Sequence, residues 1–360
     1  PAVTLAERLV ARAPQGLSRV FYAENGSSAV EIALKMSFHA WRNQGHPRKT
    51  RFVALTGGYH GETLGALAVG GVELYRETYG PLLMPVLQAP SPDCYLRAEG
   101  ESWADHSRRM LMPMAELLEA RHAEICAVIV EPLVQCAGHM RMYHPAYLTG
   151  LRALCDRYQV HLICDEIAVG FGRTGTFFAC EQAAITPDFL CVGKGLTGGY
   201  LPLSAVLTTD AIYRCFYDDY TTLRAFLHSH SYTGNALGCA AALATLDLFE
   251  QRPVLDDNRA LADHLARALA PLAEHPHVGE VRQTGLIAAV EMTPGGDRQS
   301  HYPWQERRGL RVYRHGLARG VLLRPLGNVV YFMPPYVTTT DEIDLMVQVA
   351  REGITLATLD

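Results

Sequence analysis

Short apolar segments alternate with segments of helical periodicity along the first 250 residues of this 360-residue chain. The apolar segments are only a few residues long, and the segments between them repeat apolar side chains at helical spacing. Buried strands separated by helices are typical of a mainly parallel sheet that is covered on both faces. The sequence therefore predicts an α/β fold with strands at FVAL (52–55), AVIVE (127–131), HLICDE (161–166), FLCVG (189–193) and SAVLTT (204–209).

The pattern changes near residue 250. ALGCAAALATLDLFE (236–250) predicts a strongly buried helix, and Arg252-Pro253 then interrupts the helical pattern. Two helices, a strand in GLIAAVEM, a strand region in VLLRPLGNVVYFMPP and a helix after Thr340 follow. We therefore predict a large domain over residues 1–250 and a smaller α+β domain over residues 251–360. Because PAVTLAERLV resembles the middle of an amphipathic helix, we also expect that an N-terminal segment is missing.

The composition argues against several classes of function. Hydrophobic residues make up 49% of the chain, which is enough for a sizeable core. The net charge of -5 is spread without a basic tract, so no nucleic-acid partner is expected. No apolar stretch has membrane-spanning length, and the nine cysteines contain no C-x-x-C metal or redox motif. We expect a cytoplasmic protein with no metal site and no membrane partner.

An acidic pair and a lysine follow two neighbouring predicted strands. Asp165-Glu166 ends HLICDE, and Lys194 follows FLCVG directly. Ligands of open α/β sheets bind beyond the carboxyl ends of the strands, where alternation should direct only one of the two acids at the ligand. A buried Lys194 would form a Schiff base with pyridoxal 5′-phosphate, and Asp165 would keep its ring nitrogen protonated. The alternatives are a helix-capping acid pair and a loop lysine that reaches solvent.

Two segments before residue 70 offer groups for the rest of such a coenzyme. ENGSS (24–28) opens a predicted helix whose free N–H groups would attract a phosphate, although simple capping is the alternative. GGYHG (57–61) holds Tyr59 and His60 between glycines, and Tyr59 would stack on a planar ring or merely anchor the loop. For His60, a structural role is the more common one.

Two later segments offer further binding groups. HSHSYTGN (228–235) carries small donors, among them Ser229, His230 and Ser231, before a predicted helix. They would bind phosphate oxygens or cap the helix. Arg324 lies inside an otherwise apolar segment, where a buried guanidinium requires a carboxylate or a phosphate. An internal salt bridge would satisfy it equally well.

The order of these motifs resembles that of the class III aminotransferases of pyridoxal-phosphate fold type I. The likeness covers essentially the whole chain, and DEIAVGFGRTGTFFACEQAAITPDFLCVGKGLTGG (165–199) is its most specific part. Three further stretches resemble the branch of the class that acts on 8-amino-7-oxononanoate in biotin synthesis, usually with S-adenosylmethionine as amino donor. These stretches are EPLVQCAGHMRMYHPAYL, LTGGYLPLSAVLTT and LLRPLGNVVYFMPPY.

The resemblance implies a role for each matching residue. Lys194 would hold the coenzyme and act in catalysis, and a homodimer would share its active sites. The coenzyme would be bound by Gly26, Ser27, Tyr59, Glu131, Asp165, Ile167 and Lys194, and by His230 and Ser231 from the neighbouring subunit. The substrate would be bound by Tyr59, Arg173, Lys194, Ser229 and Arg324.

The chain departs from the branch at two positions, and other activities remain open. His230-Ser231 stands where Pro-Thr is common, and Glu62 stands where Asp commonly follows YHG, so the donor pocket could differ. The first alternative is another class III ω-aminotransferase acting on a diamine, lysine or a β-amino acid with pyruvate. An aminomutase on the same fold and a protein that only binds the coenzyme are the others.

Overall fold

The computed structural model describes residues 1–359, which form two main sheets flanked by helices. The strands are β1 (Leu17–Ala23), β2 (Arg51–Leu55), β3 (Leu87–Ala89), β4 (Ile125–Val130), β5 (Val134–Gln135), β6 (Arg141–Met142), β7 (His161–Asp165), β8 (Phe189–Val192), β9 (Ser204–Thr209), β10 (Val278–Thr284), β11 (Ile287–Met292), β12 (Pro325–Leu326) and β13 (Val329–Phe332). The α-helices are α1 (Ala2–Arg12), α2 (Gly26–Asn43), α3 (Leu64–Ala68), α4 (Glu73–Tyr79), α5 (Trp103–Arg109), α6 (Leu111–Arg121), α7 (Ala146–Tyr158), α8 (Asp210–Arg214), α9 (Ala236–Gln251), α10 (Val254–Leu269), α11 (Arg308–Ala318) and α12 (Thr340–Ala357). Within residues 1–359, no helix is long and apolar enough to cross a membrane.

The large sheet has seven strands in the order β1-β9-β8-β7-β4-β2-β3. Strands β3, β2, β4, β7 and β8 run parallel, whereas β9 is antiparallel to both β8 and β1. The prediction of a mainly parallel α/β sheet is therefore confirmed, and all five predicted strands are present. Strands β1 and β3 were not predicted, because β1 is largely half-exposed and β3 has only three residues.

Both faces of this sheet are covered, as the apolar strands predict. In β2, Val53 and Leu55 pack into one hydrophobic cluster, and Phe52 and Ala54 pack into the cluster on the other face. All six residues of β4 are buried. A strand buried on both faces needs no polar alternation, which explains why these segments are continuously apolar.

The second sheet is antiparallel, in the order β10-β11-β13-β12, and has its own hydrophobic cluster with α10 and α12. The prediction of two helices before GLIAAVEM is wrong for α-helices, since α10 is followed only by a 3₁₀ turn at Ala270–Glu274 and then by β10, and α11 comes after β11. VGEVRQT in β10 alternates buried and half-exposed residues, so its period is that of a strand. The domain boundary near residue 250 stays a prediction.

Helix α9 has the predicted position but not the predicted burial. Gly238, Cys239 and Leu246 are buried, whereas Leu237 is 71% exposed and Leu248 is 49% exposed. An all-round apolar helix was expected inside the core, but α9 lies at the surface of the single chain. Its exposed apolar side is the kind of surface that binds another protein.

Candidate active site

A cavity of about 720 Å³ lies beyond the carboxyl ends of β4, β7 and β8, beside the N-terminus of α2. This is the edge at which open α/β sheets bind ligands. Eight of the residues predicted from the sequence line it, although they come from positions almost 300 residues apart: Gly26, Ser27, Tyr59, Glu131, Asp165, Ile167, Lys194 and Arg324.

Asp165 is the last residue of β7, and its buried carboxylate lines the cavity. It contacts His60 Nδ1 at 2.7 Å and accepts a hydrogen bond from the Ile167 amide at 3.1 Å. Glu166 is fully buried on the opposite side, where it accepts hydrogen bonds from the backbone amides of Ala179 and Cys180. Strand alternation thus directs only Asp165 at the cavity, as expected.

Burial decides the acid–base character of the two glutamates near this edge. Removal from water raises the pKa of Glu166 to about 7. Glu131, directly after β4, also has a pKa raised to about 7, chiefly by burial. Its carboxylate accepts hydrogen bonds from the amides of Tyr59 at 2.9 Å and Cys136 at 3.1 Å. Glu131 therefore fixes the loops on both sides of it.

Lys194 follows β8 and lines the cavity, but the prediction that it is buried is wrong. Its side chain is exposed because it extends into the open cavity, and its backbone is left-handed, with φ of +41°. The sequence contains only two other lysines. Lys35 contacts the Leu227 carbonyl and His228, and the ammonium of Lys49 donates to three backbone carbonyls. Among the lysines, Lys194 alone reaches this cavity.

The N-terminus of α2 offers N–H donors that have no acceptor in the described part of the chain. The Asn25 side chain caps the helix by accepting from the Ser28 amide at 3.0 Å. Across residues 1–359, the amides of Gly26 and Ser27 have no hydrogen-bond acceptor, and both residues line the cavity. At Gly61, φ is +122° and an added Cβ would lie 2.1 Å from Ser27 Oγ. Only glycine therefore lets the loop carrying Tyr59 approach the helix start so closely.

Tyr59 and His60 occupy different positions in that loop. The Tyr59 hydroxyl donates to Glu62 at 3.1 Å, and burial raises the pKa of the phenol to about 12. His60 is 3% exposed and its ring faces Asp165. The sequence favoured a structural role for His60. The structure shows more specifically that His60 holds the carboxylate of Asp165.

Met140, Leu326 and Met333 line the cavity with apolar side chains and form its apolar wall. Tyr331 and Arg324 line the cavity as well. Arg324 was predicted to be buried, which is wrong, since it is exposed to the cavity. Its guanidinium has no ion-pair or hydrogen-bond partner in the described part of the chain. An unpaired guanidinium in the same cavity as an apolar wall suits an apolar ligand with a terminal carboxylate.

The remaining predicted residues do not line this cavity. Arg173 donates to the Pro334 carbonyl at 2.6 Å and lies 4.6 Å from the centre of the Tyr336 ring. Ser229, His230 and Ser231 lie in the segment before α9, where Ser229 and Ser231 are exposed. The structure of one chain therefore assigns them no role in its own cavity.

The sequence offered no signal for the hairpin loop 136–140, which joins β5 to β6 and contributes Cys136, Ala137 and Met140 to the cavity. Its glycine is a weak indication of close packing. A Cβ on Gly138 would lie 2.4 Å from the Gly57 carbonyl oxygen, so this loop packs directly against the loop that carries Tyr59.

The sequence matches the family described as Aminotransferase class-III over residues 1–352. It is 45% identical over 354 residues to the adenosylmethionine-8-amino-7-oxononanoate aminotransferase of Geobacter sulfurreducens, covering 98% of this chain and 78% of the relative. The enzyme of the same name from Helicobacter pylori is 48% identical, with coverage of 95% and 76%. The crystal structure of the same-named enzyme from Methanocaldococcus jannaschii has a TM-score of 0.92 at 38% identity and covers 100% of this chain and 80% of its own.

Proposed function

Since this chain belongs to the class III aminotransferase family, we propose that it converts 8-amino-7-oxononanoate to 7,8-diaminononanoate, a step of biotin synthesis. The chain is an aminotransferase that uses pyridoxal 5′-phosphate, and the proposed amino donor is S-adenosylmethionine. The observation that carries the proposal is one cavity that joins Lys194, Asp165 and the α2 N-terminus to an unpaired Arg324. We further propose that the enzyme works in the cytoplasm.

The residues around the cavity fit pyridoxal 5′-phosphate. The free amides of Gly26 and Ser27 suit its phosphate, because a helix N-terminus attracts anions. Asp165 is a buried carboxylate for a ring nitrogen, and Ile167 and Tyr59 offer an aliphatic and an aromatic side chain for the ring faces. Lys194 is the amine that would hold the coenzyme covalently. We assign Glu131 a supporting role in coenzyme binding, since it orients the backbone of Tyr59.

Each polar residue then has a role in amino transfer. When bound, the coenzyme supplies an electron sink for the substrate carbon that loses its proton. Asp165 would keep the ring nitrogen protonated, because a neighbouring carboxylate favours the cation. His60 holds Asp165 in place through the 2.7 Å contact. The free amine of Lys194 would carry the proton to and from the substrate carbon as general acid and base.

The apolar wall and Arg324 would select the acceptor. 8-Amino-7-oxononanoate has a long apolar chain with a carboxylate at its end. Met140, Leu326 and Met333 would contact the chain, and Arg324 would bind the carboxylate through two parallel hydrogen bonds. The keto carbon would then lie near Lys194. Arg173 is placed by this proposal near the substrate entrance.

The proposal includes a homodimer with shared active sites. The segment before α9 is exposed, and Tyr220, Tyr232 and Leu237 expose 89%, 71% and 71% of their surfaces. Burial of these side chains against a second copy would bring Ser229, His230 and Ser231 to the partner's cavity. His230 and Ser231 would bind the phosphate there, and Ser229 would lie beside the substrate.

A panel of half-reactions tests the proposal. The holoenzyme would be mixed in turn with S-adenosylmethionine, lysine, glutamate and alanine, while the absorbance of the bound coenzyme is followed. The amine-loaded enzyme would then receive 8-amino-7-oxononanoate, and 7,8-diaminononanoate would be measured by mass spectrometry. We expect conversion with S-adenosylmethionine and product formation. Reaction with a diamine and pyruvate but none with oxononanoate would instead identify another ω-aminotransferase.

A further inference from the structure

We infer that Arg282 is a positioning residue, which holds the hairpin loop 136–140 against the cavity in a single conformation. This loop supplies Cys136, Ala137 and Met140 to the cavity wall. Arg282 lies in the middle of β10, far along the chain from the loop, and its side chain is 1% exposed. It touches neither the cavity nor any residue of the proposed catalytic group, so its effect must be transmitted through the loop.

The guanidinium of Arg282 forms three hydrogen bonds, one from each nitrogen. Nε donates to the Met140 carbonyl at 2.8 Å, and Nη2 donates to the His139 carbonyl at 2.5 Å. Nη1 donates to Glu291 Oε2 at 2.7 Å. The planar fork of arginine therefore binds two consecutive backbone carbonyls while a carboxylate fixes its third side.

The backbone at those two carbonyls requires such support. His139 has φ of +64° and Met140 has φ of +53°, the left-handed region that residues with a side chain rarely adopt. Two such residues in succession persist only where the surrounding structure holds them. The turn is kept in this conformation by the hydrogen bonds from Arg282 on one side and by the close contact of Gly138 with Gly57 on the other.

The strained turn determines where the Met140 side chain lies in the cavity wall. Met140 is 4% exposed, and its side chain forms part of the apolar wall. At the other end of the loop, the Cys136 amide donates to Glu131. If the turn relaxed, Met140 would leave the wall that contacts the acceptor chain. Arg282 therefore determines how well the long apolar substrate binds, more than how fast the proton moves at Lys194.

The chain offers a matched control in Arg97. It belongs to the same ion-pair network, because it donates to Glu280 at 2.9 Å and Glu280 lies 3.6 Å from Arg282. Arg97 also donates to the Cys94 carbonyl but does not contact the loop. Removing either arginine thus takes one cation from the network, and only the removal of Arg282 releases His139 and Met140.

The test compares the wild-type holoenzyme with Arg282→Met, Arg282→Lys and Arg97→Met. Glu291 keeps its paired hydrogen bonds to Arg141 at 2.8 and 2.9 Å, so Arg282→Met leaves no carboxylate unpaired. Hydrogen exchange of the peptide covering residues 136–142 should rise at least about tenfold in Arg282→Met, because its local hold is lost. The KM for 8-amino-7-oxononanoate should rise about tenfold, with the donor half-reaction changed less than about threefold. Arg97→Met should change neither quantity.

Arg282→Lys keeps the charge but loses the fork, so its exchange rate and KM should lie between those of wild type and Arg282→Met. If Arg282→Met does not fold, the exchange rate and KM of Arg282→Lys are compared with those of Arg97→Met instead. An Arg282 variant with a protected loop and an unchanged KM would overturn the inference, and so would equal effects in Arg97→Met. The choice of substrate rests on the proposed function. If wild-type enzyme does not convert oxononanoate, that function fails, while the exchange comparison still tests Arg282.

Discussion

Replacing Asp165 with asparagine removes a charge from the cavity and leaves the shape of the side chain almost unchanged. A carboxylate beside a cation changes the pKa of that cation by about one to three pH units. Asp165 is only 5% exposed, so solvent screens it little and we expect the upper part of that range. At about 1.4 kcal/mol per pH unit, the protonated ring nitrogen would lose about 3–4 kcal/mol of stabilisation. If all of it appears in the barrier, the proton-transfer step slows by about 10²–10³-fold.

The assay is a single-turnover reaction of Asp165→Asn holoenzyme with the amino donor, followed by the absorbance of the coenzyme after rapid mixing. Glu166→Gln is the matched control, since Glu166 is the adjacent acid but bonds to Ala179 and Cys180 on the opposite side. We expect its rate to stay within about threefold of wild type, because it removes no charge from the cavity. Equal rates for Asp165→Asn and wild type, at equal coenzyme saturation, would refute the role given to Asp165.

Three further predictions concern separate parts of the cavity and the core. Arg324→Gln should raise the KM for 8-amino-7-oxononanoate by about 10–100-fold, as expected for a lost charged hydrogen-bond pair, and steady-state kinetics with an analogue lacking the carboxylate should show no such change. Gly61→Ala should weaken coenzyme binding by at least about tenfold in a fluorescence titration. The new Cβ would clash with Ser27, and alanine rarely adopts the backbone φ of residue 61. An unchanged affinity would contradict the packing argument. The pKa of Glu166 is raised to about 7, so the folded state binds more protons than the unfolded state. The free energy of unfolding of the wild type should therefore fall as the pH rises from about 5 to about 8. In urea titrations of Glu166→Gln, about 2 kcal/mol of that fall should be absent.

The parts of the fold that the sequence predicts are those whose burial is uniform. Strand β4 is buried at all six positions and can be identified from its apolar residues alone. Strands β1 and β10 mix buried and half-exposed positions, so short-range composition does not separate them from helices or loops. Helix α9 shows the reverse error. Its apolar residues predict burial, but the sequence does not say whether the same chain or another one covers them.

In the site, alternation along β7 was enough to separate Asp165 from Glu166. The exposure of Lys194 and Arg324 was not predictable, because both side chains extend into a cavity whose walls come from distant segments. The part played by the loop 136–140 depends on Arg282, which lies 142 positions after Met140. Local patterns carry no information about such a contact. The sequence therefore indicated eight of the residues that line the cavity, and the fold determines how they are held.

Lys194 should hold the coenzyme in the cavity that Asp165 and the α2 N-terminus also line. Borohydride reduction of the holoenzyme, followed by proteolysis and mass spectrometry, tests it directly. With only three lysines in the chain, Lys35 and Lys49 serve as internal controls, since the ammonium groups of both are engaged elsewhere. We predict the reduced coenzyme on the Lys194 peptide and on neither of the others. Its recovery on Lys35 or Lys49, or on no lysine at all, would show that Lys194 does not hold the coenzyme.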